Sequence, residues 1–378
     1  MLAFFLLLGA AGVGLRQLDR WRFRAARGSR SGLDSVPAIL EAQRNRANDL
    51  TPTLLLAGHW LEIAAWWGLA AWSGSAGPNS VGLRSVGLAL AAVMTAVKFR
   101  HLQETSHFAA HGVLFRRLRV GDTITEFMVH APLGYRPVAA RRERHVRRHH
   151  PNAAVLGVDP NLGELAAAGL WPGATAAGFV RGVLFPLTAH GIAATVRDIV
   201  RNLGGVEQRA GQGIGWRTAW RGWWRVLIAL LVPAAAFAIG GLPVLIAGYV
   251  LPRLLLYPQL AWMSLLVEHT WFEPAESGAG RSETEASRCV RVYRDRKVLE
   301  LLARCLWLPY GDLYHYAHSV HPAVRWNYLP RLEALLGFPD RTAPRVLFGR
   351  DSVLGKLRAA TVADAVGKRA ADSVTRLA

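Results

Sequence analysis

Charged residues are almost absent from residues 53 to 74 (TLLLAGHWLEIAAWWGLAAWSG) and from 86 to 97, and Gly74, Ser75, Gly77 and Pro78 separate these two apolar stretches. Apolar runs of this kind predict membrane-crossing helices, and the Gly/Ser/Pro cluster predicts a turn between them. Residues 53–74 and 81–100 therefore read as one helical hairpin, ending at Lys98, Arg100 and His101. A second hairpin is predicted to start at Arg221, Trp223, Trp224 and Arg225, a mixture that suits a membrane interface. It turns at Gly240-Gly241-Leu242-Pro243 and returns near Glu268 and His269, with kinks expected at Pro233, Pro252 and Pro258. Residues 1–15 (MLAFFLLLGAAGVGL) are apolar but short of the roughly 20 residues that cross a bilayer. They read as an N-terminal anchor or interfacial helix rather than a cleaved signal, because no basic segment precedes them. The Gly/Ala/Leu-rich stretch 165–196, interrupted by Pro172, Gly173 and Arg181, suits a helix lying in the interface.

The expected fold is thus an all-α integral-membrane protein. Two hairpins give about four spans, with the N-terminal anchor as a fifth membrane-attached segment, under a helical cap. Two hairpins return the chain to the side it left, so 16–50, 101–220 and 270–378 share one face. Arginine crowds 16–47 and 114–150, and by the positive-inside tendency that face is the cytoplasm. Three segments follow: 1–50 as anchor and basic stretch, 51–335 as membrane and cap domain, 336–378 as a basic helical tail.

A net charge of +19 alongside 52% hydrophobic residues fits either a nucleic-acid binder or a membrane protein with basic loops. Segregation of the charge favours the membrane, and no recognition helix or interleaved aromatic motif supports nucleic acid as a partner. Only Cys289 and Cys305 occur, in no paired framework, which fits a reducing compartment.

Thirteen histidines remain to be explained. His107-Phe-Ala-Ala-His111, with Glu104 before it, places two imidazoles at i, i+4 on one helix face, a spacing that grips one metal. In His145-Val-Arg-Arg-His149-His150, His145 and His149 stack while His150 turns about 100° away, so neighbouring residues can reach two different ions. The plainer reading is a basic solvated face that contains histidine. His269 stands alone in LLVEHTWF, where a capping role is the usual one. His315-Tyr-Ala-His318-Ser-Val-His321-Pro carries three histidines spaced by three. Nine candidates exceed what one tetrahedral zinc needs and match two metal ions with about four or five ligands each; imidazole alone does not say which metal. His59 and His190 read as packing residues, and His101 and His130 as interfacial ones, with His101 able to support the first cluster.

With these residues in view, the chain resembles the membrane fatty acid desaturase and hydroxylase family, whose hallmark is three histidine boxes. HFAAHGVLF resembles the first box; HVRRHHPN, followed by Asp159-Pro160-Asn161-Leu162, resembles the second; YHYAHSVHPAVRWNYLP resembles the third. Ser287-Arg288-Cys289-Val290-Arg291 is similar to a run that often precedes the third box, and His269 falls where the family often carries one further ligand. The resemblance covers about residues 50 to 335. It departs at Ser319, where the family has its second adjacent histidine; His321 is a substitute, but Pro322 biases it away from helical geometry.

The resemblance implies two non-haem iron ions, held by His107, His111, His145, His149, His150, His269, His315, His318 and His321, with Glu104, Glu268, His101 and Ser319 around them. It implies O2 as co-substrate, a fatty acyl or lipid substrate and either desaturation or hydroxylation. No electron-transfer domain is visible in the chain, so electrons are expected from a separate ferredoxin, rubredoxin or cytochrome-type protein, with basic residues drawing an acidic donor and anionic membrane lipids. A non-catalytic metal- or haem-binding membrane protein, or a transporter, is the rival class; it would place its histidines within the spans. A scaffold that has lost catalysis is a third reading.

Overall fold

A computed structural model describes residues 2–24, 32–75, 81–155, 157–204, 216–272, 280–337 and 346–362. Gly77, Pro78 and most of the C-terminal tail, on which some expectations fall, lie outside these. The described residues are helical, and the only β features among them are isolated bridges, one of which joins His269 to Cys289. The first four helices are α1 (Leu2–Arg22), α2 (Val36–Ala42), α3 (Ala47–Gly74) and α4 (Val81–Ala110). Ser35 caps α2 by accepting from Ala38 N, with Pro37 in the first turn.

Among the described residues, four helices are long and apolar enough to cross a membrane: Leu2–Arg22, Asn48–Gly74, Val81–Ala110 and the 45-residue Gly222–Leu266. The first continues past residue 15 to 21 residues, which brings it to membrane-spanning length. It runs antiparallel to α3, with Phe5 against Gly68 and Gly12 against Gly58 and Glu62. A Cβ on Gly12 would lie 2.6 Å from the Gly58 carbonyl oxygen, so glycine is what lets the two backbones approach so closely. At the far end of this contact Arg16 Nη2 stands 2.8 Å from Glu62 Oε2, and Lys98 Nζ of α4 stands 2.6 Å from the same oxygen. Charge inside these apolar helices is thereby paired.

Within 222–266 the helical angles break at Gly240 (φ −166°, ψ 28°) and Gly241 (φ 66°, ψ −150°). Gly241 sits in the left-handed region that glycine tolerates best. On either side of the break, Arg225 and Arg253 reach one segment: Arg225 Nη2 donates to Tyr135 O at 2.6 Å, and Arg253 Nε to Leu133 O at 2.6 Å.

The single interfacial helix expected over 165–196 is not formed. The region divides into Pro160–Ala167, Ala176–Val183, a short turn at Phe185–Leu187 and Ala189–Leu203. Gly169 (φ 86°) and Gly173 (φ 100°) take left-handed conformations that end the first piece, and Thr175 and Thr188 start new helices by accepting from the N–H groups of Gly178 and Gly191.

Two large apolar cores and one small one around Cys289 and Tyr316 result among the described residues. One large core lies among the apolar helices around Ile63, Trp67, Phe99, Leu133 and Val244, the other in the cap around Phe108, Trp271, Ala317 and Trp326. Helix α4 feeds both.

His130 is fully buried against Tyr135, with ring centroids 6.0 Å apart, and burial pushes its imidazole down to about 3. Near pH 7 it is neutral in folded and unfolded chains alike. As pH falls below its ordinary 6.5, the unfolded chain takes up a proton that the folded one refuses. That group alone costs about 1.4 kcal/mol of stability per pH unit well below this point. His130→Phe is expected to flatten the fall in thermal midpoint between mildly acidic and neutral pH; an unchanged slope would show that His130 is solvated in the folded protein.

Candidate metal centre

Among the described residues nine side chains approach one another in two compact groups: His107, His111, His145, His150 and His318 in one, and His149, Glu268, His269 and His315 in the other, with His107 further tied to Glu104. Each group offers one ligand atom per residue, all within 4.8 Å of one another.

The first box is carried by the last turn of α4. His107 Nε2 and His111 Nε2 are 3.0 Å apart, and Gly112 (φ 75°) ends the helix just beyond. Arg142 secures that end by donating to the Ala109 and Ala110 carbonyls, both at 2.8 Å.

The second box departs from the helical geometry expected of it. Glu143–His149 is a π-helix, and His150 N bonds back to His145 O. A π-turn brings i and i+5 together, so His145 joins His150, their Nε2 atoms 3.1 Å apart, and not His149. His149, one residue earlier, serves the other group. Adjacent residues do divide between the two groups, but the partner of His145 is exchanged by the wider turn.

The third box lies on the helix His315–Val320. Its three-residue spacing sends His315 to one group and His318 to the other. His269 follows the last apolar helix and is fixed by backbone pairing of Thr270 N with Arg288 O (2.9 Å) and Val290 N with Glu268 O (3.0 Å). Arg288 also donates to Ala153 O at 3.0 Å and to His150 O at 3.2 Å, bracing the second box against the segment that carries His269.

The outer nitrogens are held. His107 Nδ1 lies 3.2 Å from Glu104, His149 Nδ1 2.9 Å from Asp159, and His269 Nδ1 3.3 Å from Arg288 O. Donation to these acceptors places the proton on Nδ1 and leaves the Nε2 lone pair free to face inward. Burial pushes the imidazoles of His111, His145, His150, His269, His315 and His318 well below their ordinary range, which keeps them neutral at pH 7 as ligation requires.

The inner nitrogens converge: His145 to His107 at 2.7 Å, His315 to His269 at 3.1 Å, His269 to His149 at 3.4 Å. Imidazoles sharing one first-row metal at about 2.0–2.1 Å stand about 3 Å apart. Both nitrogens of His318 are buried without a hydrogen-bond partner, although its ring centroid is 4.5 Å from His111 and 4.7 Å from His107. A metal ion in the five-imidazole group would take up one of these nitrogens, and the donor sets fit one ion in each group. Burial, with Asp312 and Glu104 adding to it, raises the Glu268 carboxyl well above the usual carboxylate range, and a cation beside it would reverse that.

Three expected residues stand apart, while Glu104 holds the supporting place expected of it. His321 terminates its helix at φ −130°, ψ 74° and belongs to neither group. His101 Nε2 donates to Cys305 O (3.1 Å), and the ring packs on His59, away from His107. Ser319 is buried next to the Cys289 thiol, one turn from His315 on the same helix face. Glu104 supports His107, and Arg100 approaches it at 3.5 Å. Glu268, expected only to orient an imidazole, lies within the ligand distance of its group. Asp159 had no role in the sequence beyond its place behind the second box, yet the Asp-Pro that starts a helix at Pro160 is a readable N-cap signal.

A family model described as fatty acid desaturase matches residues 83–344, more than half of the chain and including every residue of both groups. The chain belongs to the fatty acid desaturase family. No curated protein matches it. Family membership makes it a lipid-modifying oxidoreductase, and its four long apolar helices make it a membrane protein of that family.

Asp159→Asn keeps a cap acceptor for Asn161 N but loses the anionic acceptor on His149. Metal affinity of the His149 group is expected to fall about 10- to 100-fold with helix content unchanged. Equal affinity, measured by competition with a chelator, would assign Asp159 to folding alone.

Proposed function

We propose that the protein is an O2-dependent, non-haem di-iron desaturase acting on a fatty acyl or lipid chain. The observation that carries this reading is the pair of adjacent buried groups of converging neutral imidazoles. Iron held there, fed by two external electrons, would supply the O2-activating chemistry that removes hydrogen from a methylene. The balance for desaturation is –CH2–CH2– plus O2, two electrons and two protons, giving –CH=CH– and two waters.

The chain's own residues prepare that chemistry. His107, His111, His145, His150 and His318 hold one ion, and His149, His269, His315 and Glu268 the other. Glu104 and Asp159 fix the tautomers of His107 and His149. Phe108, stacked on His107 at 5.5 Å, and Trp271, 5.1 Å from His269, exclude water from the two groups. Hydroxylation is the second reading. It is favoured by Ser319, which puts a small hydroxyl next to the His315 group where a further imidazole would close it.

The membrane arrangement we propose is two hairpins plus α1. Ala71 meets Gly240 and Gly74 meets Pro243, so the two turns share one end, and both histidine groups lie at the other. The arginine-rich segments at that other end favour the cytoplasmic side for it. Arg147 and Arg148, both largely exposed next to the second box, suit an acidic electron donor of the ferredoxin, rubredoxin or cytochrome type.

Purified protein from iron-replete cells is expected to carry close to two irons per chain, and lipids of expressing cells to gain a double bond or hydroxyl by mass spectrometry. One zinc and no iron in elemental analysis would overturn the proposal.

Glu268→Ala is expected to halve the iron content, while His318→Ala removes at least as much. His321→Ala is expected to be mild in both iron and turnover. Equal iron loss in His318→Ala and His321→Ala would return His321 to the ligand set.

A further inference from the structure

Beside the last turns of α1 the cap encloses a pocket of about 60 Å3 lined by Arg16, Asp19, Arg20, Arg304, Trp326 and Asn327, among others. Helix α1 lies outside residues 83–344, so this wall belongs to the chain and not to the family-matched region. Trp326 is 5% exposed and Asn327 2%. Even so, the Trp326 Nε1 donor, the Asn327 Oδ1 acceptor and the Arg304 Nε donor are buried with no hydrogen-bond partner among the described residues.

Positive charge is in excess at this wall. Arg16, Arg20 and Arg304 line it against Asp19, the one acid among the lining residues; Glu62 serves both Arg16 and Lys98, and Arg304 Nη2 rests 2.6 Å from Glu300 while its Nε is left over. Unused donors, an unused acceptor and excess cations together fit an oxyacid that offers several acceptor oxygens and one hydroxyl proton. The space holds a few waters or one such head, and is far too small for an acyl chain.

The surroundings suit an amphiphile over a free ion. The helix Lys297–Leu306, which supplies Arg304, exposes Val298 (71%), Leu301 (56%) and Leu302 (50%). Its Cys305 carbonyl is bound by His101 at 3.1 Å, which sets it at the level where α4 leaves its apolar stretch. An apolar face at that depth belongs in lipid. On the inner side, the Trp326 ring is 5.3 Å from Phe108, and Phe108 is 5.9 Å from His318. The pocket thus adjoins the five-imidazole group.

We propose that this pocket binds the anionic head, phosphate or carboxylate, of the lipid substrate. The inference rests on the desaturase reading for calling that lipid the substrate; the binding itself needs no metal. The test uses the full chain purified in a nonionic detergent, titrated calorimetrically in its metal-free form with decyl phosphate, decanol and inorganic phosphate, with iron uptake measured in parallel. Decyl phosphate is expected to saturate at one per chain and to bind about tenfold tighter than either decanol or inorganic phosphate. Arg20→Gln and Asn327→Leu are each expected to weaken it severalfold with iron uptake and circular dichroism unchanged; if one variant fails to fold, the other carries the test. Decanol binding as tightly as decyl phosphate would show a greasy groove without head recognition. Inorganic phosphate binding as tightly would show a free-anion site, and full-strength binding in the folded variants would place the head elsewhere. Iron uptake failing while decyl phosphate binds would overturn the di-iron reading and leave the pocket standing.

Discussion

The structure depends on burying imidazoles in a tight cluster while keeping them neutral and aimed. Nitrogens at 2.7–3.4 Å from one another would repel as lone pairs if nothing lay between them, and as cations if they were protonated. Burial settles the second problem by disfavouring charge. The first is met at three of the rings by fixing them from behind: Glu104, Asp159 and the Arg288 carbonyl take the outer N–H of His107, His149 and His269. The inner lone pairs are then directed at two points, an arrangement that suits a metal ion at each. A centre of this kind is a folding liability without metal and a rigid socket with it.

That constraint explains why the cap is laced with arginine-to-carbonyl bonds. A chain that interrupts its helices to aim side chains leaves carbonyls without helical partners. Arg142 takes those of Ala109 and Ala110 at the end of α4, Arg288 those of His150 and Ala153, and Arg325 Nη2 that of Leu114 at 2.7 Å. Each guanidinium also ties two distant stretches of chain together. A part of the basic charge that the sequence displays, Arg288 and Arg325 included, is therefore structural and buried.

The spans and the histidine boxes were legible because their signals are local: unbroken apolar runs, and histidines at helical spacings. What was not legible depended on the turn type. The pattern HVRRHH reads equally as α or π, and only the i→i+5 bond from His150 to His145 decides which imidazoles meet. Glu268 was visible but misjudged in rank, since nothing in a sequence says whether a carboxylate stands beside a ligand or among the ligands. The stretch 165–196 showed its breakers openly, in Pro172 and Gly173, and its apolar composition was allowed to outweigh them.

The two groups are not equivalent, and the difference traces to one helix face. On His315–Val320, residue 319 stands one turn after His315 and faces the same way, so a histidine there would belong to the His315 group. Serine is too short to reach a metal from that position, and its hydroxyl lies with Cys289. The group is closed from the opposite side by Glu268, which the membrane exit brings in beside His269. A carboxylate is a harder and more anionic donor than imidazole, so an ion held in this group would have a lower net charge than one held among the five imidazoles. Under the di-iron proposal, ligand exchange and electron entry would then differ between the two positions, an asymmetry that follows from a single serine and one carboxylate.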